Sequence, residues 1–223
     1  GSPFDYQEQA VLYAPQGMPE PNSPEYPDAV AKVAFPLIRA AHGRTFVLCT
    51  SLRAMRRIHE LIADDLAREK LDLPLLIQGE GSRTELLERF WRLGNAILVA
   101  SQSFWEGVDV PGDALSVVVI DKLPFAPPDD PVLAARIENM QKAGRSPFME
   151  YQLPRAVINV KQGAGRLIRT ERDKGVLAIC DPRMLTKPYG KRVWQSLPPM
   201  RRSKHEADRK STRLNSSHHV VSR

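Results

Sequence analysis

The chain has 223 residues, 42% of them hydrophobic, enough to bury a full core in one domain with or without appendages. A formal net charge of +6 favours a polyanionic partner without requiring one. Two cysteines, Cys49 and Cys180, each lie in an apolar run, so neither a disulfide framework nor a metal site is suggested, and both are expected to be buried and reduced in a cytoplasmic protein. No run approaches about 18 apolar residues and no charged-then-apolar leader is present, so no membrane partner is expected. The first residues, Gly1-Ser2, include no methionine, and the chain is expected to be a fragment.

Gln7 to Ala14 (QEQAVLYA) predicts a short strand, and the prolines between Pro15 and Pro27 make the following stretch an extended loop. Asp28 to Ala41 predicts a helix ended by His42-Gly43. His42 has no ligand-spaced partner and reads as a surface residue at a helix end. Thr45 to Cys49 is a β-rich apolar run of the kind buried on both faces of a parallel sheet. Thr50 and Ser51 then cap a helix whose Leu52, Met55, Ile58, Ile62 and Leu66 follow helical spacing. Two hydroxyls and free backbone N–H groups at a helix start make either an anion site or an ordinary N-cap.

Leu73 to Ile77 predicts a third strand, Gln78-Gly-Glu-Gly-Ser82 a turn, and Arg83 to Leu93 a helix whose Phe90 and Trp91 read as core. Ala96 to Ala100 predicts a central strand. Ser101 to Gly112 (SQSFWEGVDVPG) is a polar, glycine-containing turn at that strand's carboxyl end, where open α/β sheets place their ligands. Ala114 to Ile120 predicts a fifth strand, Asp121 to Pro131 a proline-stiffened loop, and Pro131 to about Ala143 a helix. Gly175 to Cys180 predicts a sixth strand ended by Asp181-Pro-Arg183, and Tyr189 to Leu197 a last helix. After Pro199 the apolar period is lost and disorder is expected; the segment from Ser211 is set aside as foreign to the domain.

One further helix, Pro154 to Arg169, carries chemistry. At about 100° per residue, Arg155, Gln162, Arg166 and Arg169 fall within about 60° of one another, while Val157, Val160, Ala164, Leu167 and Ile168 form the opposite, apolar face. Guanidiniums and an amide on one face suit phosphate oxygens, since Arg offers fixed planar donors and stays charged. Gly163 and Gly165 each cost roughly 1 kcal/mol relative to Ala inside a helix. Something is expected to approach that backbone closely, which a merely solvated basic face would not require.

At these residues the sequence resembles a known family. Gln162-Gly-Ala-Gly-Arg-Leu-Ile-Arg169 is similar to the QxxGRxxR motif VI of superfamily 2 helicases, and the continuation through Asp173-Lys-Gly175 and Asp181-Pro-Arg183 resembles the DinG/XPD-like branch. The resemblance implies that Arg169 is the arginine finger that reaches the γ-phosphate of ATP and Arg166 a second phosphate or interdomain contact. It further implies that Gln162, with Gly165 beside it, couples nucleotide state to domain closure. FWEGVDVPG, from Phe104, resembles motif V. There the family implies that Gly107 and Asp109 face the nucleotide, and that Glu106, with Ser101 and Gln102, links that site to DNA. A carboxylate facing phosphate is repulsive, so Asp109 is expected to meet a ribose hydroxyl or a basic side chain, the alternative being a turn carboxylate satisfied by backbone N–H groups. Thr50 and Ser51 fall where the family carries motif IV, which implies contact with the DNA backbone. Gln78 and Gly79 resemble its loop motif beside the DNA track. Lys122 and Phe125 suit either a DNA-facing wedge or a rigid surface loop.

Strands alternating with helices argue for one doubly wound, mostly parallel α/β domain with helices on both faces. The resemblance, which runs from about Ser2 to Leu197, implies a single RecA-like domain over residues 1–199, a basic tail over 200–223, and action in DNA repair or replication with 5′ to 3′ translocation on single-stranded DNA. ATP and Mg2+ would be bound jointly with an N-terminal motor domain. No GxxxxGK[ST] loop, no Asp-Glu-Ala-His box and no four-cysteine iron–sulfur set occurs in this sequence. The family carries all three upstream, so this chain alone is expected to be inactive. Two alternatives stay open: a module that only binds nucleic-acid backbone, and an unrelated α/β nucleotide or sugar-phosphate transferase whose arginine helix holds substrate.

Overall fold

A computed structural model of the chain describes residues 4–105, 115–126 and 129–203. Glu106, Gly107 and Asp109 therefore lie outside the described residues, as do residues 204–223.

The described chain forms one seven-stranded, wholly parallel sheet in the order β3-β4-β2-β5-β6-β1-β7. Its strands are β1 (Ala10–Tyr13), β2 (Thr45–Cys49), β3 (Leu75–Ile77), β4 (Ile97–Ser101), β5 (Val117–Ile120), β6 (Gly175–Ile179) and β7 (Arg201–Ser203). Five of these are apolar without alternation because both faces are covered, as parallel strands connected by helical crossovers must be. The pleat still divides them. Phe46, Leu48, Leu98, Val118 and Leu177 enter one core, while Val47, Val99, Val119, Val176 and Ala178 enter the other.

The second core is closed by α2 (Tyr26–Ala41) and α3 (Leu52–Arg68) through Val30, Ile38, Ile58 and Ile62. The first is closed by α4 (Arg83–Leu93), α6 (Leu153–Leu167) and α8 (Pro188–Ser196) through Leu86, Phe90, Val160, Leu167 and Val193. The result is the three-layer α/β sandwich expected. Local chemistry fixes the helix ends. Ser82 and Glu85 form a capping box at the start of α4. The Asp130 carboxylate accepts from Val132 N and Leu133 N at the start of α5 (Pro131–Lys142), with Pro131 filling its first turn. Helix α2 ends at His42, exposed and left-handed at φ 52°, followed by Gly43 at φ 84°, where a Cβ would lie 1.9 Å from the Asn95 carbonyl oxygen.

Three expectations are corrected. The first strand starts later than Gln7, because Tyr6–Gln9 forms a helical turn, α1. There the Gln9 side chain donates to the Thr170 and Asp173 carbonyls at 2.8 and 3.0 Å, a tertiary restraint that local pattern cannot reveal. Trp91 is 60% exposed while its neighbour Phe90 is fully buried, so only one of the aromatic pair is core. And order continues past Pro199: Arg201–Ser203 pairs in parallel with Val11–Tyr13 as an edge strand. Backbone pairing needs no apolar side chains, and Arg202 instead lays its guanidinium 4.9 Å from the centre of the Trp194 ring. A further short helix, α7 (Arg183–Thr186), follows β6.

Candidate nucleic-acid and nucleotide interface

Strand order reverses about β2. The chain runs outward to β3, returns to β4 beside β2, and then crosses to β5 on the other side. At such a switch point the loops leaving the carboxyl ends part and leave a crevice. Here the crevice is a cleft of about 240 Å³, lined among others by Thr50, Ser101, Gln102, Phe125, Asn159 and Gln162. Four polar residues singled out in the sequence, from three separate segments, thus converge on one opening: Thr50 after β2, Ser101 and Gln102 at the end of β4, and Gln162 on α6.

Their polar groups are tied together. Gln78, after β3, accepts through Oε1 from both Ser101 N (2.8 Å) and Ser101 Oγ (2.9 Å), so it reaches the cleft only by holding Ser101. Ser101 Oγ also lies 2.9 Å from Ser103 Oγ, and Gln102 Nε2 donates to the Lys122 carbonyl at 3.3 Å. Ser51 is engaged otherwise. Its hydroxyl accepts from Ala54 N at 3.1 Å, the ordinary N-cap of α3.

Thr50 is held by a residue that motif reading passed over. Asp121, buried at the end of β5, accepts from Thr50 N at 3.0 Å, Thr50 Oγ1 at 3.3 Å and its neighbour Lys122 N at 2.7 Å. The buried Tyr26 phenol donates to the Asp121 carbonyl at 2.5 Å, and Lys122 stands over the Tyr26 ring. Burial pushes the Asp121 carboxyl up from 3.8 to about 7, outweighing the Thr50 and Lys122 donors that pull it down.

This shift has a definite sign. Because folding raises the Asp121 pKa, the native chain keeps a proton that the unfolded chain releases, so the group's contribution is full below about pH 4 and lost as pH rises through about 7. Asp121→Asn cannot titrate. Urea unfolding from pH 4 to 8 is expected to show wild type losing stability relative to this variant by on the order of a few kcal/mol; parallel profiles for the two proteins would contradict the assignment.

A second carboxylate, Asp181, follows β6 as Asp121 follows β5. It is fully buried and accepts from Arg183 Nη2 at 2.6 Å, Arg183 Nε at 2.9 Å and Leu123 N at 2.8 Å. Burial alone would lower the Arg183 pKa, but the Asp181 hydrogen bonds and charge raise it on balance. Arg183 in turn lies 5.1 Å from the centre of the Phe125 ring, which packs on Phe148 and Tyr189. Phe125 is therefore a braced cleft wall. Both aspartates could have been suspected from one signal, a lone acid directly after a run of buried strand residues.

The arginines of α6 are placed differently from the helical projection. Val160, Ala164, Leu167 and Ile168 are buried and Arg155 and Gln162 are exposed, as expected for an amphipathic helix. But α6 ends at Leu167, and Ile168 is extended at φ −119°, so Arg169 lies beyond the helix and is not aligned with Gln162 by helical period. Its position is set by Asp173, whose carboxylate accepts from Arg169 N and Thr170 N at 2.7 Å each. The Gln9 amide fixes the same turn from β1's side. Arg169 is exposed and Arg166 half-buried. Gly165 is exposed as well, and a Cβ there would meet nothing within 4 Å. The close approach expected at Gly165 is thus not made by the described residues.

Among the described residues no cluster of His, Cys, Asp or Glu is arranged to hold a metal ion, and no helix is long and apolar enough to cross a membrane. What the site offers is a set of neutral hydrogen-bonding groups at the strand ends and guanidiniums at the end of α6, a donor surface for phosphate.

The chain is 51% identical over 203 residues to the ATP-dependent DNA helicase YoaA of Escherichia coli K12, covering 91% of this chain and 31% of that protein. It is 40% identical over 204 residues to the ATP-dependent helicase DinG of Mycobacterium tuberculosis, covering 89% of this chain and 29% of that one. It therefore spans about a third of the length of these relatives. Among solved structures, the apo form of XPD superposes with a TM-score of 0.59 at 22% identity, over 88% of this chain and 40% of that one, a likeness that carries the RecA-like fold. With the sequence profile of the helicase C-terminal domain matching residues 35–200, the chain belongs to that family.

Proposed function

We propose that this domain is the C-terminal motor half of an ATP-dependent DNA helicase. The observation that carries the reading is the convergence of Thr50, Ser101, Gln102 and Gln162 on one cleft at the strand ends, with Arg166 in the last turn of the helix that supplies Gln162 and Arg169 just beyond it. In the intact protein an upstream motor domain holds Mg2+–ATP by its phosphate loop. Closure brings Arg169 to the γ-phosphate, where its fixed charge stabilises what develops during transfer, and brings Arg166 to a second phosphate or interdomain contact. Gln162, with Gly165 beside it, lies between nucleotide and cleft and relays closure to the groups that hold the DNA.

Thr50, Ser101 and Gln102 contact the backbone of single-stranded DNA. Ser51 acts through the cap it forms, and Gln78 by orienting Ser101. Gly107 and Asp109 face the nucleotide, Asp109 through a ribose hydroxyl or a basic side chain, and Glu106 joins that side to the DNA. The domain runs through the edge strand Arg201–Ser203, past the boundary at 199 that the sequence implied, and the whole protein translocates 5′ to 3′ in the cytoplasm, serving DNA repair or replication. Support comes from the E. coli and M. tuberculosis relatives, described as ATP-dependent helicases, and from the donor character of the site.

The test is ATP turnover by this chain alone and by the protein extended with its upstream region, each with and without single-stranded DNA. No turnover is expected from the chain alone, and DNA-stimulated turnover from the longer protein. Turnover by the chain alone would favour a transferase, and DNA binding by the longer protein without any ATPase would favour a simple binding module.

A further inference from the structure

Beyond the cleft, a second basic surface lies where α5, the π-helical segment Phe148–Gln152 and the start of α6 meet. The Arg136 and Arg155 guanidiniums stand 4.8 and 5.2 Å from the centre of one ring, that of Tyr151. Both arginines are exposed, and neither has a carboxylate partner among the described residues. Their neighbours differ: Arg145 is paired with Glu150 and Lys142 with Glu138. A guanidinium against an aromatic face is held in place by its plane while its N–H edge stays available, so the ring restrains both side chains without using their donors.

This cluster lies near the cleft along α6. Asn159 and Gln162 line it, and Arg155 precedes Asn159 by four residues, one turn along the same side of α6. From Gln162 to Arg155 is about 10 Å at the helical rise. With two guanidiniums already against the ring, Tyr151 is occupied as a stacking surface, which leaves phosphate rather than base as the ligand these groups fit.

Resting on the function proposed above, we infer that Arg136 and Arg155, braced by Tyr151, form an outer binding site for the sugar-phosphate backbone of the same single strand, where it leaves the cleft. The contact is independent of base sequence.

The experiment uses the protein with its upstream region and a fluorescent oligothymidylate, titrated over a series of salt concentrations. Removing both contacts by Arg136→Ala with Arg155→Ala is expected to reduce the salt slope of log K by about 1.4 and to weaken binding roughly 20-fold near 0.1 M salt. Lysine at both positions keeps the point charges and is expected to restore most of the slope. Tyr151→Phe, which keeps the ring, is expected to bind as wild type, and Tyr151→Ala to bind more weakly. Thermal unfolding of each variant separates loss of contact from loss of fold. An unchanged slope and affinity in the double alanine variant, with wild type binding normally, would overturn this site alone. Failure of the wild-type protein to bind the oligonucleotide would overturn the motor reading beneath it.

Discussion

Arg169→Ala, made in the protein that includes the upstream region, is expected to lower ATP turnover by about 10³ or more, the loss that accompanies removal of an arginine finger. The side chain is exposed, and the turn that carries it is fixed through its backbone: Asp173 accepts from Arg169 N and Thr170 N, and the Gln9 amide donates to the Thr170 and Asp173 carbonyls. Truncation at Cβ leaves those backbone bonds in place, so the turn should keep its shape while turnover collapses. Lysine should rescue little, because a flexible point charge does not reproduce a planar fork whose geometry is set before the transition state forms. Single-turnover measurements at saturating Mg2+–ATP would isolate the chemical step. Turnover within a few fold of wild type would remove Arg169 from this role.

Asp181→Ala is expected to destabilise the domain by about 3 kcal/mol or more, read by urea unfolding. The Asp181 side chain is wholly buried and accepts from Leu123 N, Arg183 N and two nitrogens of the Arg183 guanidinium, which is itself only 27% exposed. Truncation strands a mostly buried cation and leaves two backbone donors unsatisfied, and the second cost adds to the first. The midpoint of thermal unfolding should fall by roughly 6–12 °C for a domain of this size. Surface pairs make the contrast. Arg57–Asp28 is about half exposed on both sides, and Asp28→Ala should cost less than about 1 kcal/mol. If Asp181→Ala were as mild as Asp28→Ala, the brace behind Phe125 would carry no more energy than a solvated pair.

Two kinds of information built this domain. The sequence by itself determined the five apolar strands of the sheet interior, because a strand covered on both faces must be continuously hydrophobic. It determined the long helices, because one apolar stripe at helical spacing has only one way to be buried, and their ends, because Ser82, Glu85 and Asp130 satisfy donors within a few residues of themselves. It also carried the order of the motifs, hence the family and the residues to look for.

What only the tertiary structure decided are relations between residues distant in the chain. Strand order sets β2 between β4 and β5, and so gathers Thr50, Ser101, Gln102 and Gln162, which span more than half the chain, around one opening. The buried aspartates after β5 and β6 read locally as turn residues, and their partners Thr50 and Leu123 become visible only when neighbouring strands are aligned. Arg169 left the helical face because Asp173 and Gln9 stop the chain after Leu167. The edge strand β7 formed from Arg-Arg-Ser because β1 offered it an unpaired backbone. In each case a hydrogen bond between residues remote in sequence outweighs local preference, and no periodicity records such a bond.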